Sequence, residues 1–415
     1  MQAIGNKAKY RIPGIFSNTS NTLFFYLWFL TIPLQLKYFI TIVFLILLCL
    51  KADGQYRFTH FDSYKGLSNG SVHCIYQDSD GYLWIGTQDG LNCFDGYNFK
   101  VFRNRENDSL SLSDSFILSI TEDTSGNLWI GSRNGLNCLN RSTGQVRRYY
   151  EAEGEKHIFQ NSYTSLIAGK DKRIWFEHQG HVMYFNPATD KLVKLEIPLN
   201  QAAIPVADRE GNIWICTLSG RIFRLGDDLS LKWYEFQTDF KSDVRTSSYA
   251  CINSKGVLYL ASGNEIVLFD TQTGKRPDGK IELPNIIQNI SADAKGNVWV
   301  SSPEGLYRVD GFKSEFITND ESDHRSIPPG AVLCSSEDSD GNLWVGTGTV
   351  GLSVYQPAQA KFKLLRSSIY NDAVGSAFQD SLGVLWVGTS SALFRYSLKN
   401  HSPTSADDIE KNIAR

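Results

Sequence analysis

Apolar residues along this chain come in runs of four to six, each ended by a cluster of Asp, Gly, Asn or Ser. In the clearest stretch, residues 72–76 lead into Gln77-Asp78-Ser79-Asp80-Gly81, and Leu83-Trp84-Ile85 follows. Gly86-Thr87-Gln88-Asp89-Gly90 comes next, then residues 91–94, then Asp95-Gly96, then residues 99–102. Short runs rich in β-branched and aromatic residues, with Asp/Gly turns between them, predict strands. Four antiparallel strands are expected, and no amphipathic helical stretch of ten residues interrupts them.

The cycle repeats. Its signature reads DSDGYLWIGT at 78–87, DTSGNLWIGS at 123–132, DREGNIWICT at 208–217, DAKGNVWVSS at 293–302, DSDGNLWVGT at 338–347 and DSLGVLWVGT at 380–389. Eroded copies stand at 169–178 and 253–262. The aromatic anchors Trp84, Trp129, Trp175, Trp214, Tyr259, Trp299, Trp344 and Trp386 are 39–46 residues apart, which marks one supersecondary unit copied in tandem. About eight four-stranded units predict an all-β fold, a β-propeller with one blade per repeat. Stacked blades cover their strands on both sides, which accounts for the unbroken Leu-Trp-Ile runs. The tryptophan is expected to wedge between neighbouring blades, each contributing roughly 2–3 kcal/mol through burial. Asp is expected to cap the turn and Gly to take a positive φ there. An EF-hand-type calcium loop is disfavoured because the further oxygen ligands and the glutamate at position twelve are missing.

The blade count leaves two arrangements open. Residues 56–61 read as a strand preceding the first full repeat, suited to become the outer strand of the last blade. A seven-bladed ring would close at 332–355 and leave one extra blade. A closed eight-bladed ring is the alternative, because the eighth repeat lacks a fourth strand after Tyr396 that 56–61 would supply. Seven plus one is the reading adopted. It divides the chain into an N-terminal signal or membrane segment (1–54), a propeller (55–360), an extra blade opening a second propeller (361–397) and a polar tail (398–415).

Several local phrases resemble the two-component regulator propeller repeats in the sensor halves of hybrid histidine kinases of glycan-degrading bacteria. Gly66-Leu67-Ser68 followed by Val72 and Gln77-Asp78 is similar to that family's opening segment. Asp108-Ser109-Leu110-Ser111, Ile120, Glu122-Asp123 and the LWIG phrase are similar to its blade-to-blade passage. Gly90-Leu91-Asn92 and Gly135-Leu136-Asn137 resemble its third-strand entry. The resemblance covers about residues 56–397. It implies a sensor region of two seven-bladed propellers, then a β-sandwich, a membrane span and cytoplasmic kinase and regulator modules. This sequence holds about eight repeats and no kinase histidine box or nucleotide-binding motif, and His401 lacks the surroundings of a phosphoacceptor. The expectation is a sensor portion ending before its membrane and kinase parts.

Formal charge is −3 at pH 7, and no basic patch interleaves with aromatics, which disfavours nucleic acid as a partner. Residues 23–50 are strongly apolar, and residues 38–50 after Lys37 have the length of a signal-peptide core. Cleavage near Ala52 to Gln55 is the reading adopted, and an uncleaved anchor is the alternative; either places the propeller in the periplasm. Membrane contact is expected only through this segment. The seven cysteines (Cys49, Cys74, Cys93, Cys138, Cys216, Cys251 and Cys334) show no Cys-x-x-Cys spacing. Equivalent positions in different blades are too distant for a disulfide, so the cysteines read as small buried hydrophobes, with no metal or other cofactor expected.

Three function classes remain. The first is a ligand-sensing module, carbohydrate-responsive as the resemblance implies, binding an oligosaccharide or other small ligand and working with a full-length sensor kinase or as a homodimer. The second is a stand-alone scaffold for protein interactions. The third, a glycan-active enzyme, is least supported. A sialidase Asp-box places Asp five residues before Trp, where Ser79 stands here, and no Tyr/Glu/Arg constellation can be assembled. No catalytic residue is therefore nominated. Recognition is expected in the turns after the LWIG strand, which vary most between repeats. The candidates are Gln88 and Asp89, Arg133 and Asn134, His178 and Gln179, and Glu304, where Arg133, His178 and Gln179 would hydrogen-bond a sugar hydroxyl or carboxylate.

Overall fold

The computed structural model describes residues 56–149, 165–178, 180–197, 203–217, 221–236, 240, 248–357, 374–380, 384–389 and 393–397. The apolar N-terminal segment, Gln179, residues 361–365 and the polar tail lie outside them. The chain forms two compact units divided between Pro357 and Ala358. Among the described residues no helix is long and apolar enough to cross a membrane.

The first unit is a seven-bladed β-propeller. Blade 1 is an antiparallel meander of β2 (Val72–Gln77), β3 (Leu83–Thr87), β4 (Gly90–Phe94) and β5 (Phe99–Phe102). The same order is repeated at 117–149, 167–194, 203–235, 248–282 and 289–317. The seventh blade builds three strands from 332–355 and takes its outer strand from β1 (Phe58–Phe61), in the register Phe58↔Tyr355 to Phe61↔Leu352. The N-terminal strand therefore locks a ring of seven, and the eight-bladed alternative is corrected. Residues 374–397 form a separate three-stranded sheet in the second unit and do not receive β1. Phe378 on its first strand is 67% exposed.

The motif tryptophans stitch the ring together. Trp84 packs among Ile117, Ile120, Leu128 and Ile130 of blade 2. Trp129 packs on blade 3, Trp175 on blade 4, Trp214 on blade 5, Tyr259 on blade 6 and Trp299 on blade 7. Trp344 returns to Leu83, Ile85 and Phe94 of blade 1. Seven apolar seams, one per junction, form the core, because a single blade cannot bury its own face.

The motif Asp carries two jobs. One oxygen of Asp78 caps the turn, accepting from the Asp80 and Tyr82 amides at 3.0 and 2.9 Å, while Gly81 takes φ 90°. The other accepts the Trp84 indole N–H at 2.7 Å. The same indole bond recurs at Asp123–Trp129, Asp208–Trp214, Asp293–Trp299, Asp338–Trp344 and Asp380–Trp386, at 2.8–3.2 Å. A spacing of six lets one carboxylate serve both the turn and the buried indole, which needs a partner once withdrawn from water.

The motif Gly answers to packing. A Cβ on Gly86 would stand 2.4 Å from Cys74 Sγ and 2.6 Å from Ile117 Cγ2 of the next blade. Gly86→Ala is expected to cost about 1–3 kcal/mol by forcing the blade 1–2 seam apart. Urea unfolding would measure it, and an unchanged midpoint would show that the seam yields without cost.

Candidate ligand site at the mouth of the ring

Each inner strand runs from the face bearing the blade-to-blade loops to the face bearing the Asp-Gly turns. The turns after the second strands share the loop face, tied by backbone bonds from Gln88 N–H to Ser71 C=O (3.1 Å) and Arg133 N–H to Phe116 C=O (2.9 Å). The loops are fixed from inside as well. Asn92, fully buried, accepts the Ser68 amide at 2.9 Å and donates to Ser68 Oγ and to Ile85 C=O. Asn137 repeats the arrangement with the Ser113 amide and Ile130 C=O. These asparagines are not among the recognition candidates, although the repeated Gly-Leu-Asn phrase at 90–92 and 135–137 marks them. Their effect is a preordered loop face.

The structure spreads the expected recognition residues over this face. Gln88, Arg133 and Glu304 are exposed, and Asp89 and Asn134 are half-buried. Asp89 is engaged within its own blade, paired with Arg103 at 3.1 Å. Glu304 accepts Thr318 Oγ1 at its backbone carbonyl, 3.2 Å away. His178 is the last residue of a strand (Ile174–His178), opposite His181, and only 4% exposed. Gln179 is outside the described residues. These residues belong to different blades and do not gather into one cluster.

What does gather is the inner-strand set around the axis. A cavity of about 380 Å³ is lined by residues 73–75, 118–120, 333–335, Leu166, Tyr249, Gln288 and Asn289. Three inner strands contribute through the same irregularity. The register slips between Val72 and Cys74, between Ile117 and Ser119, and between Val332 and Cys334. Each bulge leaves one extra residue (His73, Leu118 and Leu333) unpaired and beside the cavity, the re-aiming for which bulges are used near sites.

The chemistry around the cavity is polar but uncharged. The His73 ring lies 4.6 Å from that of Phe116 and its Nε2 is 3.2 Å from Ser71 Oγ; burial lowers its pKa, which favours the neutral ring. Burial pushes the Cys334 thiol up to about 12 and the Cys74 thiol well above its ordinary value. Both thiols are unreactive by that measure, in keeping with their reading as small hydrophobes. Ser335 Oγ pairs with Ser291 Oγ at 2.9 Å.

Three segments, 66–89, 111–134 and 326–349, match the family model of the two component regulator propeller. Blades 1, 2 and 7 each carry a two-component regulator propeller repeat. Each matched segment runs from the loop entering an inner strand to the turn after the second strand, so it includes cavity-lining residues and, in blades 1 and 2, Gln88, Asp89, Arg133 and Asn134. A 61-residue stretch is 49% identical to "Histidine kinase P4" of Formosa agariphila, over 15% of this chain and 4% of that protein. Among solved structures, the extracellular domain of the hybrid two component system BT3049 from B. thetaiotaomicron is similar at TM-score 0.58 and 22% identity, over 83% of this chain and 48% of that one. The extracellular domain of BT4673 from the same organism gives 0.59 and 19%, over 85% and 47%. The chain thus spans about half the length of these domains. Virginiamycin B lyase from Staphylococcus aureus is similar at 0.57 and 13%, over 73% of this chain and 99% of that enzyme. At such identities the structural likeness is one of fold.

Proposed function

We propose that this chain is the ligand-recognition propeller of a two-component regulator, working on the periplasmic side and without catalytic activity of its own. The observation that carries the reading is a coincidence of position. The segments that match the regulator repeats supply nine of the cavity's thirteen lining residues, the others being Leu166, Tyr249, Gln288 and Asn289. In this reading residues 1–54 export or anchor the ring, residues 361–397 begin a further propeller, and a sensor kinase or a second copy of the chain passes the bound state across the membrane. A ligand on the loop face shifts the population of two arrangements by its differential affinity for them. The loop face suits this role because Asn92 and Asn137 hold its backbone while Gln88, Arg133 and Glu304 vary outside it.

The test is calorimetry and thermal unfolding of the purified full chain against neutral and acidic mono- and oligosaccharides. A ligand at about one hundred times its Kd is expected to stabilise the fold by about 2.7 kcal/mol. Arg133→Ala and Glu304→Ala should weaken ligands that reach the loop face while leaving the unliganded midpoint within about 0.5 kcal/mol, as exposed sites do. A folded chain that no member of the panel stabilises would sink the sensing reading.

A further inference from the structure

This inference rests on the reading above and names the ligand class of its cavity. We propose that the cavity on the ring axis binds an uncharged, hydroxyl-rich small molecule, with the Ser119 hydroxyl and the Gln288 side-chain carbonyl as its polar anchors.

The first ground is an unmet hydrogen-bonding demand. Ser119 is 5% exposed, its Oγ is withdrawn from solvent, and it has no protein partner. Gln288 Oε1 is in the same position. Both residues line the cavity. A buried donor or acceptor left unmade is costly, so such groups in a native structure call for an explanation.

The second ground is the slot that Ser119 fills, which varies between repeats: Ile204, Tyr249 and Asn289 stand there in blades 4 to 6, and Ser376 faces Gly388 in the second unit. The register partner of Ser119 is the motif glycine Gly131, as Cys74 faces Gly86 and Cys334 faces Gly346. Blades 1 and 7 put a thiol there, a small apolar filler needing no partner. Blade 2 has a hydroxyl in the same slot, which unlike a thiol calls for a partner once buried.

The third ground is charge. None of the described residues lining the cavity is Asp, Glu, Lys or Arg. A carboxylate or ammonium ligand would lose its hydration with no opposite charge to receive it. Hydroxyl groups fit, since each donates one bond and accepts others: an O–H can donate to Gln288 Oε1 and accept from Ser119 Oγ–H. His73 adds the ring nitrogen that Ser71 Oγ does not engage, while Ile75, Leu118, Ile120 and Leu333 offer apolar wall for a C–H face. The volume, about 380 Å³, lies in the ~300–1,000 Å³ range of small-molecule pockets.

The experiment is isothermal titration of the full chain with glucose, galactose, mannose, myo-inositol and maltose, each hexose set against its uronate where one exists. A neutral compound is expected to bind, its uronate at least about tenfold more weakly, because the carboxylate meets no countercharge. Ser119→Ala and Ser119→Cys should each weaken binding about tenfold, with Gln288→Ala similar, for one lost hydrogen bond apiece. Ser119→Cys installs the residue of blades 1 and 7, so retained folding is expected, and an unchanged unfolding midpoint separates lost binding from lost structure. Binding that survives all three substitutions, or uronates that bind as well as the neutral sugars, overturns the proposal. If binding instead falls only with Arg133→Ala or Glu304→Ala, the cavity site fails and the sensor reading stands. If no sugar binds a folded chain, both fall.

Discussion

Deleting residues 56–61 should unfold or aggregate the propeller, with a stability loss above about 5 kcal/mol, a large share of the 5–15 kcal/mol typical of a whole domain. In the sequence the segment precedes the first full repeat and reads as an outer strand for the last blade. In the structure it serves two seams at once. Phe58 is 3% exposed in the seam between blades 6 and 7, and its amide bonds Arg325 C=O at 2.7 Å. Phe61 sits on the other side, with ring centroids 6.0 Å from Trp344, 5.3 Å from Phe94 and 6.2 Å from Phe99, joining blade 7 to blade 1. Losing a buried Phe costs roughly 3–5 kcal/mol. Without β1, the strand Leu352–Tyr355 also becomes an uncovered edge, a template for pairing with other chains. Urea unfolding with size-exclusion chromatography would read the result. A monomeric deletion variant with the parental midpoint would show that the ring does not depend on this closure. Phe58→Ala/Phe61→Ala, which keeps the backbone ladder, should lose most of the same stability and separates side-chain burial from edge exposure.

Much of the fold was legible because seven copies of one constraint overlay one another. The Trp seams, the Asp turn caps and the Gly81-type turns each follow from a phrase that appears several times, so chance resemblance in any one copy is filtered out. The number of blades was not legible in the same way. β1 had two chemically acceptable partners, a blade ending at Tyr355 and one ending at Tyr396, and nothing local distinguishes them. The choice is made by Phe58 and Phe61 finding seams almost three hundred residues away in sequence.

The candidate site was less legible, for a physical reason. Variable turn residues such as Gln88, Arg133 and Glu304 stand out by differing between repeats, and the structure does put them on the loop face. Proximity in the repeat frame is not proximity in space, however, and each belongs to its own blade. Asp89 looked available until Arg103, fourteen residues on, met it from the outer strand. The cavity hid inside runs that read as apolar inner strands. Its signal is the extra residue of each bulge (His73, Leu118, Leu333), and a bulge is invisible until the partner strand is known. Ser119 is placed in the slot that Cys74 and Cys334 fill only by its register against Gly131.

Arg141→Ala should be a costly charge removal, losing about 3 kcal/mol or more. Arg141 lies on the turn after the third strand of blade 2, where the sequence offers no cue, since the corresponding turn of blade 1 carries Asp95-Gly96. Its guanidinium reaches Asp78 at 2.7 Å and Asp80 at 2.9 Å in blade 1, Glu122 at 2.8 Å in blade 2, and the Gly126 carbonyl at 2.7 Å. The Asp78 side chain is fully buried and that of Glu122 is 8% exposed, so neither can fall back on water. Burial opposes the arginine's charge, yet the hydrogen bond and charge of Asp78, with Glu122 and Asp80, raise its pKa above the ordinary value. Glu122 in turn accepts the Ser79 amide at 2.7 Å and its hydroxyl at 2.6 Å, gripping the turn of the preceding blade. The grip recurs without an arginine at two other junctions, Ala294 N–H to Glu337 at 2.5 Å and Ser339 N–H to Gln77 at 2.6 Å. Removing Arg141 strands two buried carboxylates near each other, which is worse than losing the pair outright. Arg141→Lys should recover only part, because a point charge cannot fork between Asp78 and Glu122. Arg103→Ala is the control: its pair with Asp89 is about half exposed on both sides, and its loss should cost under about 1 kcal/mol. Denaturant midpoints of the three variants decide the matter. Equal losses for Arg141→Ala and Arg103→Ala would mean that the buried network does not hold blades 1 and 2 together.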